Sequence, residues 1–284
     1  MWGRIRTESS VSLSDADFSY VRDLVYQQAA IVIETEKNYL VEARLSPLVR
    51  RHGFGSLAEL VEKLRSQPSN GLRWNVVEAM TTNETSFFRD VHPFELLKKN
   101  VLPELIERRA ALRQLNIWCA AASSGQEPYT ILMTLRETFP ELSTWRVNFL
   151  ATDISQEVLE RCREGCYSQL EVNRGMPAPL LVKYFQKIGT EWQIKEELRR
   201  MIDFRQMNLA QAWPVLPSMD VIFMRNVLIY FDAQTKKDIL ARVRRILKPD
   251  GYFFLGGAET TLNIDDSFKR VQVDKTAYYQ VGPA

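Results

Sequence analysis

Two carboxylates stand where apolar runs give way to small residues. The run 115–120 (LNIWCA) passes into Ala120-Ala121-Ala122-Ser123-Ser124-Gly125-Gln126-Glu127-Pro128, and the run 147–153 (VNFLATD) closes on Asp153. In an open parallel sheet, ligands of nucleotide type bind beyond the carboxyl ends of the strands. The first loop holds a single glycine, Gly125. A pyrophosphate needs more, because close backbone approach at a helix N-terminus calls for several glycines. S-adenosylmethionine has no phosphate, an ammonium at its amino-acid end and a cationic sulfur. Small residues with one glycine and one carboxylate suit that ligand better than a dinucleotide. A structural turn with a surface glutamate fits the same residues. Asp153 can accept both hydrogen bonds of a ribose diol, since a carboxylate is an acceptor-only group with two oxygens. The alternative is a cap, from Asp153 or Ser155, for a helix starting at 156.

Other chemistries are poorly supplied. The only histidines are His52 and His92, and His92 precedes Pro93 at a helix start, which gives little material for a Ser-His-Asp triad or a zinc site. Three cysteines, Cys119, Cys162 and Cys166, argue against a disulfide framework. The spacing of Cys162 and Cys166 is one helical turn, and packing or surface roles are expected for all three. No metal is expected. A formal net charge of +2 does not suggest a nucleic-acid binder. No apolar run approaches a membrane span, and the start of the chain (Trp2, Arg4, Arg6) lacks the apolar core of a signal peptide. A cytoplasmic protein without membrane insertion is expected. Asn83-Glu84-Thr85 matches a glycosylation sequon, which in that compartment is coincidence.

The elements that must position Glu127 and Asp153 are legible in outline. The first ninety or so residues read as helices. Ser14 with Asp17 is an N-cap pair, followed by Phe18, Val21 and Val25 at helical spacing. Ser56 with Glu59 reads as a capping box, Leu72, Val76, Ala79 and Met80 as a third helix, and His92-Pro93 as the start of one running through Leu96 and Leu97 towards Pro103. From residue 115, apolar runs at 115–120, 147–153, 219–226 and 251–256 alternate with helical stretches at 128–138, 156–164 and 233–247. That alternation predicts an α/β fold, a doubly wound parallel sheet with helices on both faces. The runs 268–273 and 276–281 about Asp274-Lys275 predict a closing antiparallel hairpin. The interval 166–202 breaks the alternation and predicts a small insertion with short antiparallel strands near 184–195. A long irregular loop is the alternative. The domain expectation is a helical domain with linker over 1–90 and a cofactor-binding domain over 91–284.

Five stretches, in order, carry a resemblance to a known family. Thr81-Thr82-Asn83-Glu84-Thr85-Ser86-Phe87-Phe88-Arg89-Asp90 and the loop 120–129 (AAASSGQEPY) resemble signatures of the chemotaxis-receptor glutamate methyltransferases. Ala151-Thr152-Asp153-Ile154, then 225–231 (RNVLIYF) and 247–251 (LKPDG), continue the match. It covers about residues 15 to 281, with small departures at Ala122 and Cys119. The resemblance implies a Rossmann-like class I methyltransferase fold and S-adenosyl-L-methionine as methyl donor, with S-adenosyl-L-homocysteine as product. It implies that Asn83, Thr85 and Arg89 approach the cofactor from the linker, that Glu127 holds the methionine end and Asp153 the ribose. Asn208 and Leu209 would flank the adenine, and Arg225 and Asn226 would close the pocket. Arg89 and Tyr230 would face the methyl group and the incoming carboxylate. Plainer readings stand beside these: Phe87, Phe88 and Phe231 as core, and Arg225 as a structural arginine.

The implied reaction asks little of the enzyme. Glutamate, with a pKa near ~4.3, is already a nucleophile at neutral pH and needs no general base. Placing carboxylate, methyl and sulfonium in line can supply roughly 7–11 kcal/mol. Arg44, Arg50 and Arg51 are candidates for contact with acidic receptor helices. Related enzymes that bind a receptor's C-terminal peptide carry a glycine-rich extension at the stretch corresponding to 185–192, which here is short with the single glycine Gly189. The resemblance therefore implies an enzyme that works without a C-terminal pentapeptide tether on the receptor, and a monomer is expected. The competing expectations are a methyltransferase for RNA or a small molecule, and a non-catalytic module that senses S-adenosylmethionine or scaffolds receptors.

Overall fold

The computed structural model describes residues 13–67 and 70–282. Trp2, Arg4 and Arg6 lie outside them. The chain forms two units that divide between Thr82 and Asn83.

The first unit consists of helices α1 (Asp15–Ala29), α2 (Asn38–His52), α3 (Leu57–Ser66) and α4 (Asn70–Met80). Ser14 caps α1 by accepting from the Asp17 N–H at 3.2 Å. Ser56 likewise accepts from the Glu59 N–H at 3.1 Å, but the Glu59 carboxylate accepts from the Gly55 N–H at 2.6 Å. The expected capping box is therefore closed one residue earlier than its sequence pattern implies. Phe18, Val21 and Val25 of α1 meet Leu60, Val61 and Leu64 of α3 and Val76 and Met80 of α4 in one buried cluster.

The second unit opens with α5 (His92–Leu96), one π-helical turn (Leu97–Val101) and α6 (Leu102–Arg109). The helix expected to run towards Pro103 passes through it to Arg109. Pro103 has no N–H for the carbonyl four residues back and its ring crowds that carbonyl. The wider π turn just before it absorbs the mismatch.

Then follow β1 (Gln114–Ala120), α7 (Gln126–Thr138), β2 (Arg146–Asp153) and α8 (Gln156–Glu164). The insertion contains β3 (Cys166–Ser168), α9 (Gln169–Asn173), α10 (Ala178–Tyr184), β4 (Phe185–Ile188), β5 (Glu191–Ile194) and α11 (Glu196–Arg199). The chain returns through β6 (Ile202–Gln206), β7 (Met219–Met224), α12 (Ala233–Ile246) and β8 (Leu247–Leu255), and ends in β9 (Phe268–Val273) and β10 (Thr276–Val281). The large sheet has the order β6-β2-β1-β7-β8-β10-β9. Its first five strands are parallel and the closing hairpin is antiparallel, as expected. Successive strands run outward from β1 on one side and from β7 on the other, so the order reverses between them. Such a switch point is where this architecture opens a ligand crevice.

The insertion is a sheet of order β3-β5-β4. The strands expected near 184–195 are β4 and β5. β3, only three residues long, is too short for alternation to reveal it. Gly165, at φ +64°, ends α8, so Cys162 lies on that helix and Cys166 on β3. The one-turn relation expected between these cysteines is absent. Tyr167, Tyr184, Phe185 and Ile194 join the core that contains β1 and α7, which makes the insertion part of the frame. Among the described residues no helix is long and apolar enough to cross a membrane.

Candidate functional site

The carboxyl ends of β1, β2 and β7 and the linker 83–90 converge on one constellation. After β1 the chain turns sharply: Ala121, Ser123 and Gly125 all have left-handed φ (55°, 50° and 95°). Gly125 is required there, since a Cβ would lie 2.8 Å from Tyr167 Oη and 3.1 Å from Cys162 Sγ. The carbonyls of Ser123 and Ser124 are engaged by Cys162 Sγ (3.1 Å) and Tyr167 Oη (2.8 Å). The loop is thus pinned from α8 and from the insertion. Burial pushes the Cys162 and Cys119 thiols well up, which keeps both protonated and fits packing roles.

Asp153, 6% exposed, ends β2 with both oxygens occupied. Oδ2 accepts from the Ser123 N–H at 2.9 Å and Oδ1 from the Ser155 N–H at 3.0 Å. The cap of α8 is Ser155, which accepts from the Val158 N–H at 3.4 Å. A carboxylate is an acceptor-only group with about four lone-pair sites, the type of group that a diol's hydroxyls can donate to. The N–H of Met207, which follows β6, donates to the Asp153 carbonyl at 2.8 Å. Asn208 and Leu209 come next; Leu209 is buried, and its carbonyl accepts from Trp213 Nε1 (3.1 Å) and Arg242 Nη1 (2.8 Å). The Trp213 ring in turn meets Trp118 edge-on, with centroids 5.0 Å apart. An aromatic and apolar cluster therefore holds the segment that follows β6.

Glu127 lies in the first turn of α7, where the helix dipole favours an anion. Its Oε2 is ion-paired with Arg225 Nη1. Arg225 follows β7, with its side chain only 1% exposed. Its Nη2 also reaches Asp90 Oδ2 (2.7 Å) and the Arg89 carbonyl (3.1 Å). Its Cζ sits 5.5 Å above the Phe94 ring. Arg225 Nε is buried without a partner, one of three such side-chain atoms among the described residues. A structural arginine, one of the two expectations, describes much of this geometry, and the orphaned Nε leaves one donor over.

The linker is fastened at both ends. Ser123 Oγ donates to the Asn83 carbonyl (2.9 Å), Thr130 Oγ1 accepts from the Phe88 N–H (3.1 Å), and Arg225 holds Arg89 and Asp90. Phe87 is buried and packs edge-on against Tyr167 and Phe185 of the insertion. Phe88, Asp90 and Val91 all have φ between +42° and +66°. A bulky and a β-branched residue there hold strain of order 1–3 kcal/mol each, which such surroundings must maintain. Arg89 Nη1 donates to the Glu84 carbonyl at 2.9 Å. Thr85 is half-buried in the same segment.

Asn226 (φ 58°), Val227 and the short 3-10 turn Leu228–Tyr230 complete the rim. Phe231 is buried in the core, as expected. Sequence reading missed the residue that shapes this rim, Glu259, whose carboxylate accepts from backbone N–H groups of Asn226, Val227, Ile229 and Gly256. Its setting, Gly256-Gly257-Ala258-Glu259 after a strand, marks only a loop.

Arg44, Arg50 and Arg51 belong to the helical unit. Arg44 donates to the Met80 carbonyl and to Thr82 Oγ1 (2.7 Å), tying α2 to the end of α4. Arg50 and Arg51 are exposed in the last turn of α2.

These groups suit a ligand with a ribose, a flat base and an ammonium: an acid at a strand end, an apolar segment after β6, and a second acid at a helix start. The doubly wound sheet with its closing hairpin, together with that loop, defines an S-adenosylmethionine-dependent methyltransferase. Residues 83–277 match the family described as CheR methyltransferase, SAM binding domain, and residues 16–81 match CheR methyltransferase, all-alpha domain. The chain belongs to the CheR methyltransferase family. It is 42% identical over 275 residues to chemotaxis protein methyltransferase Cher2 of Pseudomonas putida, and equally so to chemotaxis protein methyltransferase 1 of Pseudomonas aeruginosa. In both cases 95% of this chain and 99% of the relative are covered. Identity to the chemotaxis protein methyltransferase of Vibrio parahaemolyticus is 37% over 277 residues, covering 96% of this chain and 99% of that one.

Proposed function

We propose that this methyltransferase forms methyl esters on glutamate side chains of chemotaxis receptors. The observation that carries the reading is the fastening of the Arg89-bearing linker beside the cofactor loop, through Ser123 to Asn83 and through Arg225 to Arg89 and Asp90. A cation in that place suits an anionic acceptor. Bound S-adenosylmethionine supplies an electrophilic methyl group on a sulfonium. Asp153 takes the ribose hydroxyls, Asn208 and Leu209 the adenine, and Glu127 the ammonium. Asn83, Thr85 and Asn226 line the remaining approach.

Arg89 attracts the incoming carboxylate through a single contact, since a bidentate clamp would blunt its nucleophilicity. Tyr230 orients the carboxylate by hydrogen bond. No side chain has to remove a proton, because the acceptor is ionised at neutral pH.

The test is transfer of labelled methyl from S-adenosylmethionine to receptor-containing membranes, followed by base. Esters release volatile methanol. Label that stays on protein after base overturns the ester assignment, and cofactor binding without transfer marks a sensing module instead.

The receptor is met through Arg50 and Arg51, whose side chains are exposed, whereas the guanidinium of Arg44 is engaged within its own unit. Reversing Arg50 and Arg51 to Glu is expected to raise the receptor KM and leave cofactor affinity unchanged. Equal KM values at low salt, where screening is weakest, sink that assignment. The β4–β5 hairpin turns on Gly189-Thr190 alone, with Ile188 facing Glu191. So tight a turn leaves little backbone to shape a groove for a receptor tail. A receptor truncated at its C-terminus is therefore expected to be methylated as well as the intact one; lost methylation overturns this.

A further inference from the structure

Glu259 lies between β8 and β9, is 9% exposed, and turns its carboxylate inward. Oε2 accepts from the N–H groups of Asn226 and Gly256, both at 2.7 Å. Oε1 accepts from those of Val227 at 2.9 Å and Ile229 at 3.3 Å. Three of the four donors belong to the segment that leaves β7, passes through the left-handed Asn226 and reaches Tyr230. The fourth ends β8. One side chain thus replaces the ladder partners that this backbone loses where its strand stops. The fit is close: a Cβ on Gly256 would stand 2.8 Å from Glu259 Oε2, 2.9 Å from the Asn226 nitrogen and 2.7 Å from Asn226 Nδ2. Tyr279 of β10 holds the Glu259 backbone from behind, with its hydroxyl 3.5 Å from the Glu259 carbonyl.

We propose that Glu259 is a positioning residue for methyl transfer, whose carboxylate sets the 226–230 backbone and through it the aim of Asn226 and Tyr230. The proposal rests on the reading of those two residues as cofactor and acceptor contacts. The chemistry requires a carboxylate. Each oxygen serves two donors, and hydrogen bonds to an ionised acceptor are about twice as strong as neutral ones. Glutamine has one acceptor oxygen and one NH2 group. Either way round, its amide turns two hydrogens towards two backbone N–H groups, and the loop must move to relieve them.

The experiment compares the full-length protein with Glu259→Gln, Gly256→Ala and the double variant. It measures S-adenosylhomocysteine affinity by calorimetry, kcat and receptor KM, and thermal unfolding. Glu259→Gln is expected to lower kcat roughly ten- to hundredfold, the equivalent of leaving a buried donor or two unsatisfied. The Kd for S-adenosylhomocysteine should rise several-fold through Asn226, while receptor KM stays within about twofold, a split that general loosening of the fold does not produce. Gly256→Ala pries the same cradle apart from the other side and should give the same split. The double variant should then be no worse than the worse single one, as expected for residues acting as a unit. Folded Glu259→Gln with wild-type kcat and Kd overturns the proposal, and so do losses that simply multiply in the double variant. If Glu259→Gln does not fold, Gly256→Ala decides by the same split. If the wild-type protein binds S-adenosylhomocysteine but transfers nothing to receptors, the acceptor assignment fails separately. Glu259 is then judged on cofactor affinity, and an unchanged Kd in both variants rejects it.

Discussion

At opposite ends of strand β7 two buried carboxylates find their partners in different chemistry. Asp220, fully buried at the amino end, takes Arg109 Nε and Lys248 Nζ at 2.8 Å, and the Asn116 N–H at 2.8 Å. Arg109 goes on to Asp250 at 2.6 Å. That cluster joins α6, β1, β7 and β8 and touches no proposed ligand contact. At the carboxyl end, Glu259 is satisfied by backbone N–H groups, and the cation there, Arg225, is offset by both Glu127 and Asp90. Cations can weld the frame where no ligand comes. At the carboxyl end backbone N–H groups, and an arginine paired with two carboxylates, hold the chain instead.

The contrast is broken or sharpened by substitution at each end. The largest effect is expected from Asp220→Ala. It leaves Arg109 and Lys248 without their buried partner and should lower stability by about 3–5 kcal/mol in denaturant unfolding, with unchanged S-adenosylhomocysteine affinity in the folded fraction. A loss below about 1 kcal/mol, in the range of surface pairs, would mean that the amino end is not the weld described. Asp153→Ala comes next. It should weaken S-adenosylhomocysteine binding by roughly 1.5–3 kcal/mol, the range for hydrogen bonds to a charged group. Unchanged affinity by calorimetry removes the ribose assignment.

The smallest effect concerns pH. The hydrogen bond from Arg109 holds the Asp250 carboxyl below its ordinary value. A folded pKa below the unfolded one, about 3.9, gives stability that is whole above that value and fades as pH falls through the lower, folded one. The Asp250 side chain is 38% exposed, so screening keeps this below about 1 kcal/mol. Asp250→Asn should therefore be slightly less stable than the wild type near neutral pH, and the two should converge in strong acid. A gap that persists there would assign the difference to packing instead.

Much of this architecture is local and legible in the sequence. The apolar runs of β1 and β2, the N-cap at Ser14, the hairpin about Asp274-Lys275, and the placing of Asp153 at the end of β2 and of Glu127 in the loop-to-helix turn after β1 all follow from periodicity and turn chemistry, which act over a few residues. What the folded chain alone decided is long-range. Arg225 meets Glu127 across 98 residues and Asp90 across 135, and Glu259 reaches back 33 residues to Asn226. Arg44 is drawn to Thr82, 38 residues on, although its helix position alone would allow it to face solvent. Pro103, a local stop signal, is overridden by the π turn before it. Residue type and spacing determine which elements form and what chemistry each strand end can offer. Which charge neutralises which, and which side chain satisfies a strand's last N–H groups, is settled only when packing brings distant segments within about 3 Å, because hydrogen bonds of that length depend on position in space and not on separation along the chain.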